Sequence, residues 1–276
     1  MDVRVGCRFS YLAEVPTAAI LQVEPRLDGG SIAVREQWST DPVLDLHPYR
    51  DAFGNLCRRT TLPAGATTLG YDGVVRVSGE PDESDASAEE IPPDQLPDEV
   101  LAFIMPSRFC LPDQLGDVAW TEFGGLAPGY ARVQAVCDFV HDHLRFDYDA
   151  SSPLATALDV YQAHAGVCRD FAHLGISLCR ALNIPARYAF GYIPDLDLST
   201  AAGTTMDFCA WMEVFLGGRW WTFDPRNNVP RAGRVLIGLG RDAVDVAMIT
   251  TFGGPELTAM SVWADVEPSP SAAGRP

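Results

Sequence analysis

The chain has 276 residues, 47% hydrophobic and 21% charged, a composition that excludes fibrous repeats and low-complexity tails and suits two modest domains with real cores. Twenty basic against 37 acidic residues leave a net charge of −17, which repels phosphate backbones and anionic lipid and argues against nucleic acid or a membrane surface as partner. No apolar run approaches the roughly 18 residues of a spanning helix, and Met1 to Gly6 lacks the features of a secretory signal, so a cytoplasmic location is expected.

Residues 3 to 79 hold short β-like runs at Val3 to Val15, Ser31 to Trp38, Leu56 to Thr61 and Val74 to Val77. Asp28-Gly29-Gly30, Phe53-Gly54-Asn55 and Asp72-Gly73 separate them with turn chemistry. This pattern predicts an N-terminal β-sandwich-like domain over residues 1–79. From Gly79 to Glu99 there are nine acidic residues, no Lys or Arg and four prolines, which predicts a solvated acidic linker over 80–99. A second domain is expected over 100–267, with a disordered tail over 268–276.

Past the linker the period changes to that of helices. Tyr130 to Leu144 and Thr156 to Ala163 are predicted helices, and Arg169 to Leu182 is apolar around most of its circumference before the stop signal Asn183 and Pro185. Such a helix belongs at the centre of its domain. β-like runs follow at Ala186 to Ile193, Cys209 to Leu216, Arg219 to Phe223 and Val235 to Ile237, with Gly217-Gly218 as a hairpin turn. Runs at Val244 to Thr251 and Leu257 to Val266 are expected to complete the same, mostly antiparallel, sheet.

The seven cysteines are an odd number, form no CxxC pair and read as mostly reduced thiols. Cys168 stands where a glycine-led turn, Gly166-Val167, enters the most apolar helix. Unpaired backbone N–H groups and the helix dipole there favour a thiolate, although a buried, inert cysteine is the ordinary alternative. In the Gly217-Gly218 hairpin Leu216 pairs with Arg219 and Trp211 with Asp224, so Cys209, Trp211, Glu213 and Asp224 share a face expected to line a cleft. Ala210, Met212, Val214 and Leu216 face the core.

The stretches GVCRDFAHLGISLCRALNIPAR, Gly191-Tyr192 and DFCAWMEVFLGGRWWTFDP resemble bacterial transglutaminase-like proteins. The N-terminal β domain and Pro106-Ser107-Arg108-Phe109-Cys110 are similar to that family's front half. The resemblance implies an α+β, papain-like core with a Cys-His-Asp triad, in which Cys168 is the nucleophile and Asp224 orients the base. The family's histidine position, before Ala210-Trp211, holds Cys209 here. A cysteine cannot accept the thiol's proton and donate to the aspartate as an imidazole does.

Among the histidines, His173 lies five residues on from Cys168 and points away from it on the helix; His141 and His143 have nothing to place them in the site. His164 is the only one with freedom to act as a base, and Gln162, six residues before Cys168, is a candidate oxyanion donor. Three outcomes stay open: a thiol acyl-transfer enzyme acting on peptide, protein or small acyl or amide substrates through a Cys168 thioester; a catalytically impaired module that binds a peptide or protein; or redox control through a Cys168–Cys209 disulfide. No cofactor is implied. A metal held by Cys168, Cys209 and Asp224 has no independent ligand spacing behind it, and none is expected.

Overall fold

A computed structural model describes residues 1–27, 30–194 and 206–268; the expected turn residues Asp28 and Gly29 and the expected tail beyond residue 268 lie outside the described residues. Six strands open the chain: β1 (Asp2–Ala13), β2 (Thr17–Leu21), β3 (Ile32–Asp41), β4 (His47–Arg50), β5 (Leu56–Leu62) and β6 (Gly65–Arg76). Along β1 the residues Val3, Val5, Phe9 and Tyr11 are buried while Arg4, Arg8 and Leu12 are exposed, the period-two signature of a half-buried strand. Antiparallel pairing joins β1 to β6 and β6 to β3, and separately β2 to β5 and β5 to β4. Phe9 and Leu69 from one sheet and Leu21 and Leu62 from the other enter one core. β2 and β4 escape sequence reading because Thr17–Leu21 and His47–Arg50 are short and carry no strong β-former pattern.

The acidic stretch is mostly exposed, as a solvated segment would be, but it is not a free linker. It lies along the second half of the molecule as a strap, with short 3₁₀ turns at Pro93–Gln95 and Asp98–Phe103. Its Glu90 carboxylate forms a largely buried ion pair with Arg132 and accepts from the Gly129 N–H at 2.8 Å. The Tyr130 N–H donates to Ala88 O at 3.0 Å and the Gly217 N–H to Glu89 O at 2.8 Å. Gly129 is needed there, with φ of 123° and only 2.8 Å between the place of a Cβ and Ala88 O. Leu96 and Val100 of the strap pack on Phe215. The expectation failed because it weighed composition alone, whereas these carboxylates find arginines from distant parts of the chain.

The helices are α1 (Gly116–Phe123), α2 (Tyr130–His143), α3 (Ala157–Ala163) and α4 (Cys168–Ala181), with the two-residue strands β7 (Arg145–Phe146) and β8 (Ala165–Gly166) between them. Thr156 caps α3, its hydroxyl accepting from the Asp159 N–H. α4 is buried through most of its length and ends at Asn183, whose φ of 63° supplies the left-handed residue that lets the Ile184 N–H close on Cys179 O at 2.9 Å. Four strands then form an antiparallel sheet in the order β11-β10-β9-β12, from β9 (Ala186–Tyr192), β10 (Cys209–Leu216), β11 (Arg219–Phe223) and β12 (Val235–Gly240). Ala210, Met212, Val214 and Leu216 of β10 are buried, and α4 packs against β10. Gly175 permits that approach, since a Cβ would come within 2.9 Å of Met212 Sδ.

The final strands, β13 (Ile249–Thr251) and β14 (Glu256–Val266), do not extend this sheet. β14 pairs with β1 and β13 with β2, so the C-terminal segment completes both sheets of the first domain. The expected boundary at residue 267 therefore divides a sandwich built from both chain ends. The halves share one hydrophobic core: Phe9 stacks on Phe208 at 6.3 Å, and the Tyr192 hydroxyl donates to Val23 O at 2.9 Å.

Replacing Glu90 with Ala leaves the Arg132 guanidinium buried and unpaired and is expected to lower unfolding free energy in urea by about 3 kcal/mol. Glu83→Ala, which removes an exposed partner of Arg219, is expected to cost less than about 1 kcal/mol in the same titration.

Candidate active site

The turn that delivers Cys168 is held from below. The fully buried Asp170 carboxylate accepts from the Val167 N–H at 3.0 Å and the Ser151 hydroxyl at 2.9 Å, and pairs with Arg169 at 2.8 Å. Gly166 leaves room for it, because a Cβ there would lie 2.7 Å from Asp170. Cys168 thus begins α4 among the unpaired N–H groups of the first turn. Its thiol lies 3.8 Å from Phe208 O and is approached by the Ala210 N–H of β10.

All seven cysteines are free, and only Cys168 and Cys209 are less than fully buried. Burial pushes the Cys168 thiol above its usual 9.0; the positive charge of Arg226 and the Ala210 N–H oppose that rise, while Asp207 and Asp224 add to it. Cys209 is pushed up to about 12, by burial first and by the neighbouring Cys168 second. The two cysteines therefore meet as thiols at neutral pH.

Asp224 ends β11 in a buried position. One carboxylate oxygen accepts from the Asn227 N–H at 3.0 Å; the other accepts from the Asn227 amide at 2.8 Å and from Arg234 at 2.9 Å. Arg234 also grips Asp82 of the strap at 2.9 Å and lies 5.0 Å over the Trp211 ring. Two lone pairs per oxygen leave Oδ1 one acceptor position. Cys209 does not use it; its thiol is turned to Asp207 O at 3.9 Å.

Among the described residues no histidine lines the cleft. His173 is buried on α4, stacked on Phe109 at 5.2 Å, and its Nε2 accepts from the Ala243 N–H at 3.1 Å. Burial drives its pKa down to about 3, so it is a neutral packing group. His164 caps the C-terminus of α3 against His143 at 4.2 Å, and the His141 Nδ1–H donates to Arg226 O at 3.0 Å.

The cleft has a volume of about 470 Å³. Cys168 and Arg169 line it together with Phe146, Tyr148, Arg226 and Arg231, and Val167, Phe208 and Cys209 adjoin them. Cys168, Cys209 and Asp224 are drawn together, as their mutual electrostatic influence records. Three other expected cleft residues lie elsewhere. Gln162 is exposed on α3; Trp211 is buried among Ala189, Ile193 and Leu239; Glu213 forms an ion pair with Arg187 at 2.6 Å. The β10 face expected to be open is covered by β12 side chains and by these arginines. Sequence reading missed Arg226, Arg231 and Asp207, although Arg226 and Asp207 stand within two residues of positions it did identify. No cluster of three or more metal-ligating side chains occurs among the described residues.

Residues 120–225 match the family model of the transglutaminase-like superfamily. A solved candidate cysteine protease from Cytophaga hutchinsonii is 30% identical and superposes with a TM-score of 0.87 over 98% of this chain and 93% of its own. An uncharacterized protein of Mycobacterium tuberculosis (strain ATCC 25618 / H37Rv) is 28% identical over 262 residues, 85% of this chain and 82% of that protein. Another, from Mycobacterium leprae (strain TN), is 34% identical over 115 residues; that match spans 41% of each protein.

Alkylation of Cys168 by iodoacetamide, followed by mass spectrometry of its peptide, is expected to keep accelerating past pH 9. Arg226→Gln is expected to move the inflection higher still, because the cation facing the thiolate is gone. A rate already level at pH 7 would contradict this account of the thiol.

Proposed function

The chain belongs to the transglutaminase-like superfamily, and from that premise we propose that it is a thiol acyl-transfer protein restricted to activated acyl donors. The single observation that carries this reading is that Cys168 and Arg226 line one open cleft, which among the described residues no imidazole lines. Cys168 loses its proton to solvent, and the thiolate, a small fraction at neutral pH but a strong nucleophile, attacks the acyl carbonyl carbon. The bond to the leaving group breaks as the thioester to Cys168 forms. Water or an amine then attacks that thioester and restores the thiol. The Cys168 and Arg169 N–H groups at the start of α4 and the nearby Ala210 N–H are the available donors for the oxyanion.

The restriction follows from proton management. A departing amine must be protonated as it leaves, a general-acid contribution of about 10²–10⁴-fold that Cys209 and Arg226 cannot make. A departing thiolate or nitrophenolate needs no such proton. Thioesters and aryl esters are therefore the donors this site accepts, and amides the donors it has lost.

The raised Cys168 thiol and the engagement of Asp224 with Asn227 and Arg234 favour a second reading, a module that binds an acyl compound or peptide without turnover. Incubation with a nitrophenyl ester separates the two. The expected result is a burst of nitrophenolate, an acyl mass on the Cys168 peptide and neither in Cys168→Ala; wild-type protein with no acyl mass belongs to the module. Cys209→His supplies an imidazole for the vacant Oδ1 position of Asp224 and is expected to raise anilide hydrolysis by about 10²-fold or more.

A further inference from the structure

We infer that the cleft selects acyl donors whose acyl portion carries a carboxylate close to the reacting carbonyl, with Arg226 as the anchoring cation. This inference rests on the reading of the cleft as an acyl-donor site and names the substrate class for it.

The chain carries a net charge of −17, yet among the described residues the lining of this cleft has the opposite balance. Three arginines line it there against one carboxylate, that of Asp207. Arg169 is spent on Asp170, on Ser152 O at 2.6 Å and on Ser151, so it serves the turn rather than a ligand. Arg226 is different. Among the described residues no carboxylate lies within ion-pair distance of it; its guanidinium is held 4.0 Å over the Phe146 ring, and its carbonyl is held by His141. An aromatic face orients a guanidinium without consuming its N–H donors, which leaves its planar fork free for a two-oxygen anion. Arg231 also lines the cleft, its backbone N–H donating to Asp82 at 2.9 Å and its guanidinium 3.4 Å from Pro194 O.

Asp207 does not cancel this field. Its carboxylate accepts from the Phe208 N–H at 2.7 Å; burial raises its pKa and the charge of Arg226 opposes that rise, and among the described lining residues this single carboxylate faces both Arg226 and Arg231. Arg226, Cys168 and Cys209 line the same cleft, so an anion seated on the guanidinium shares that space with the nucleophile. The cation of the cleft thus has two uses: it faces the thiolate in the resting site and the carboxylate of the donor once bound.

Iodoacetate and iodoacetamide differ only in that carboxylate, and each alkylates by forming a sulfur–carbon bond as iodide leaves. The ratio of their rate constants at Cys168, measured at one pH and low salt, is independent of how much thiolate is present. In the folded protein the iodoacetate-to-iodoacetamide ratio is expected to exceed the ratio in the urea-unfolded chain by about tenfold, the effect of one charge-assisted contact. Arg226→Gln is expected to abolish the excess and Arg226→Lys to retain part of it, with circular dichroism showing both folded. A ratio no higher than in the unfolded chain, or one that Arg226→Gln leaves intact, overturns the inference. The measurement requires no acyl turnover, so a protein that binds without catalysis still shows the preference. One that acylates Cys168 without the preference sinks the substrate assignment alone.

Discussion

The buried Arg234 guanidinium ties the acidic strap to the β10–β11 hairpin. It bonds Asp82 on one side and Asp224 on the other while lying over Trp211, so three distant parts of the chain meet on one cation. A charge this far from water is tolerated only when paired and hydrogen-bonded, and the two carboxylates neutralise it and occupy Nε and Nη2, while Nη1 has no partner among the described residues. The strap is thereby committed to the fold, and the end of β11 is fixed at the same stroke. The arrangement also decides how much of Asp224 remains for chemistry: three of its four acceptor positions are filled by Asn227 and Arg234.

The Asp224 carboxylate is therefore not left as a free buried charge. Where a histidine would share the Asp224 carboxylate, the surrounding amide and guanidinium keep it satisfied, and Cys209 turns its thiol to a backbone carbonyl. A Cys at that position is compatible with stability because its partner does not depend on it. The same fact explains why the fold around the site survives intact, with α4, the Asp170 buttress and the hairpin register all in place.

Much of this was legible in the sequence, for identifiable reasons. Gly217-Gly218, with φ of 58° and 85°, is turn chemistry that fixes register, so the pairing of Leu216 with Arg219 and the burial of Met212 followed from it. The apolar circumference of α4 and its Asn183 stop were equally readable. What could not be read was pairing across long separations. Nothing local in Glu90 names Arg132 as its partner, and nothing in Leu257 to Val266 distinguishes a strand that continues its own sheet from one that returns to β1. The cleft suffered in the same way: Trp211 and Glu213 alternate correctly with the core residues, but Arg234, Arg187 and β12 close over them. Gln162 had the right distance along the chain and the wrong side of α3.

As neighbours of a thiol, a guanidinium and an imidazole differ in more than their effect on its pKa. An imidazole alternates between neutral and cationic forms during turnover, taking a proton and returning it. A guanidinium keeps its charge at every step, because its pKa lies beyond any working pH. A cleft lined by Arg226 and, among its described residues, by no imidazole holds a constant positive charge without that proton carrier. Proton transfer is what cleaving an amide requires; a constant field is what holding an anion beside a thioester requires. On the function proposed above, Cys209 and Arg226, which has no ion-pair partner among the described residues, point in one direction, toward a cleft whose selectivity rests on leaving-group chemistry and donor charge rather than on a shuttled proton.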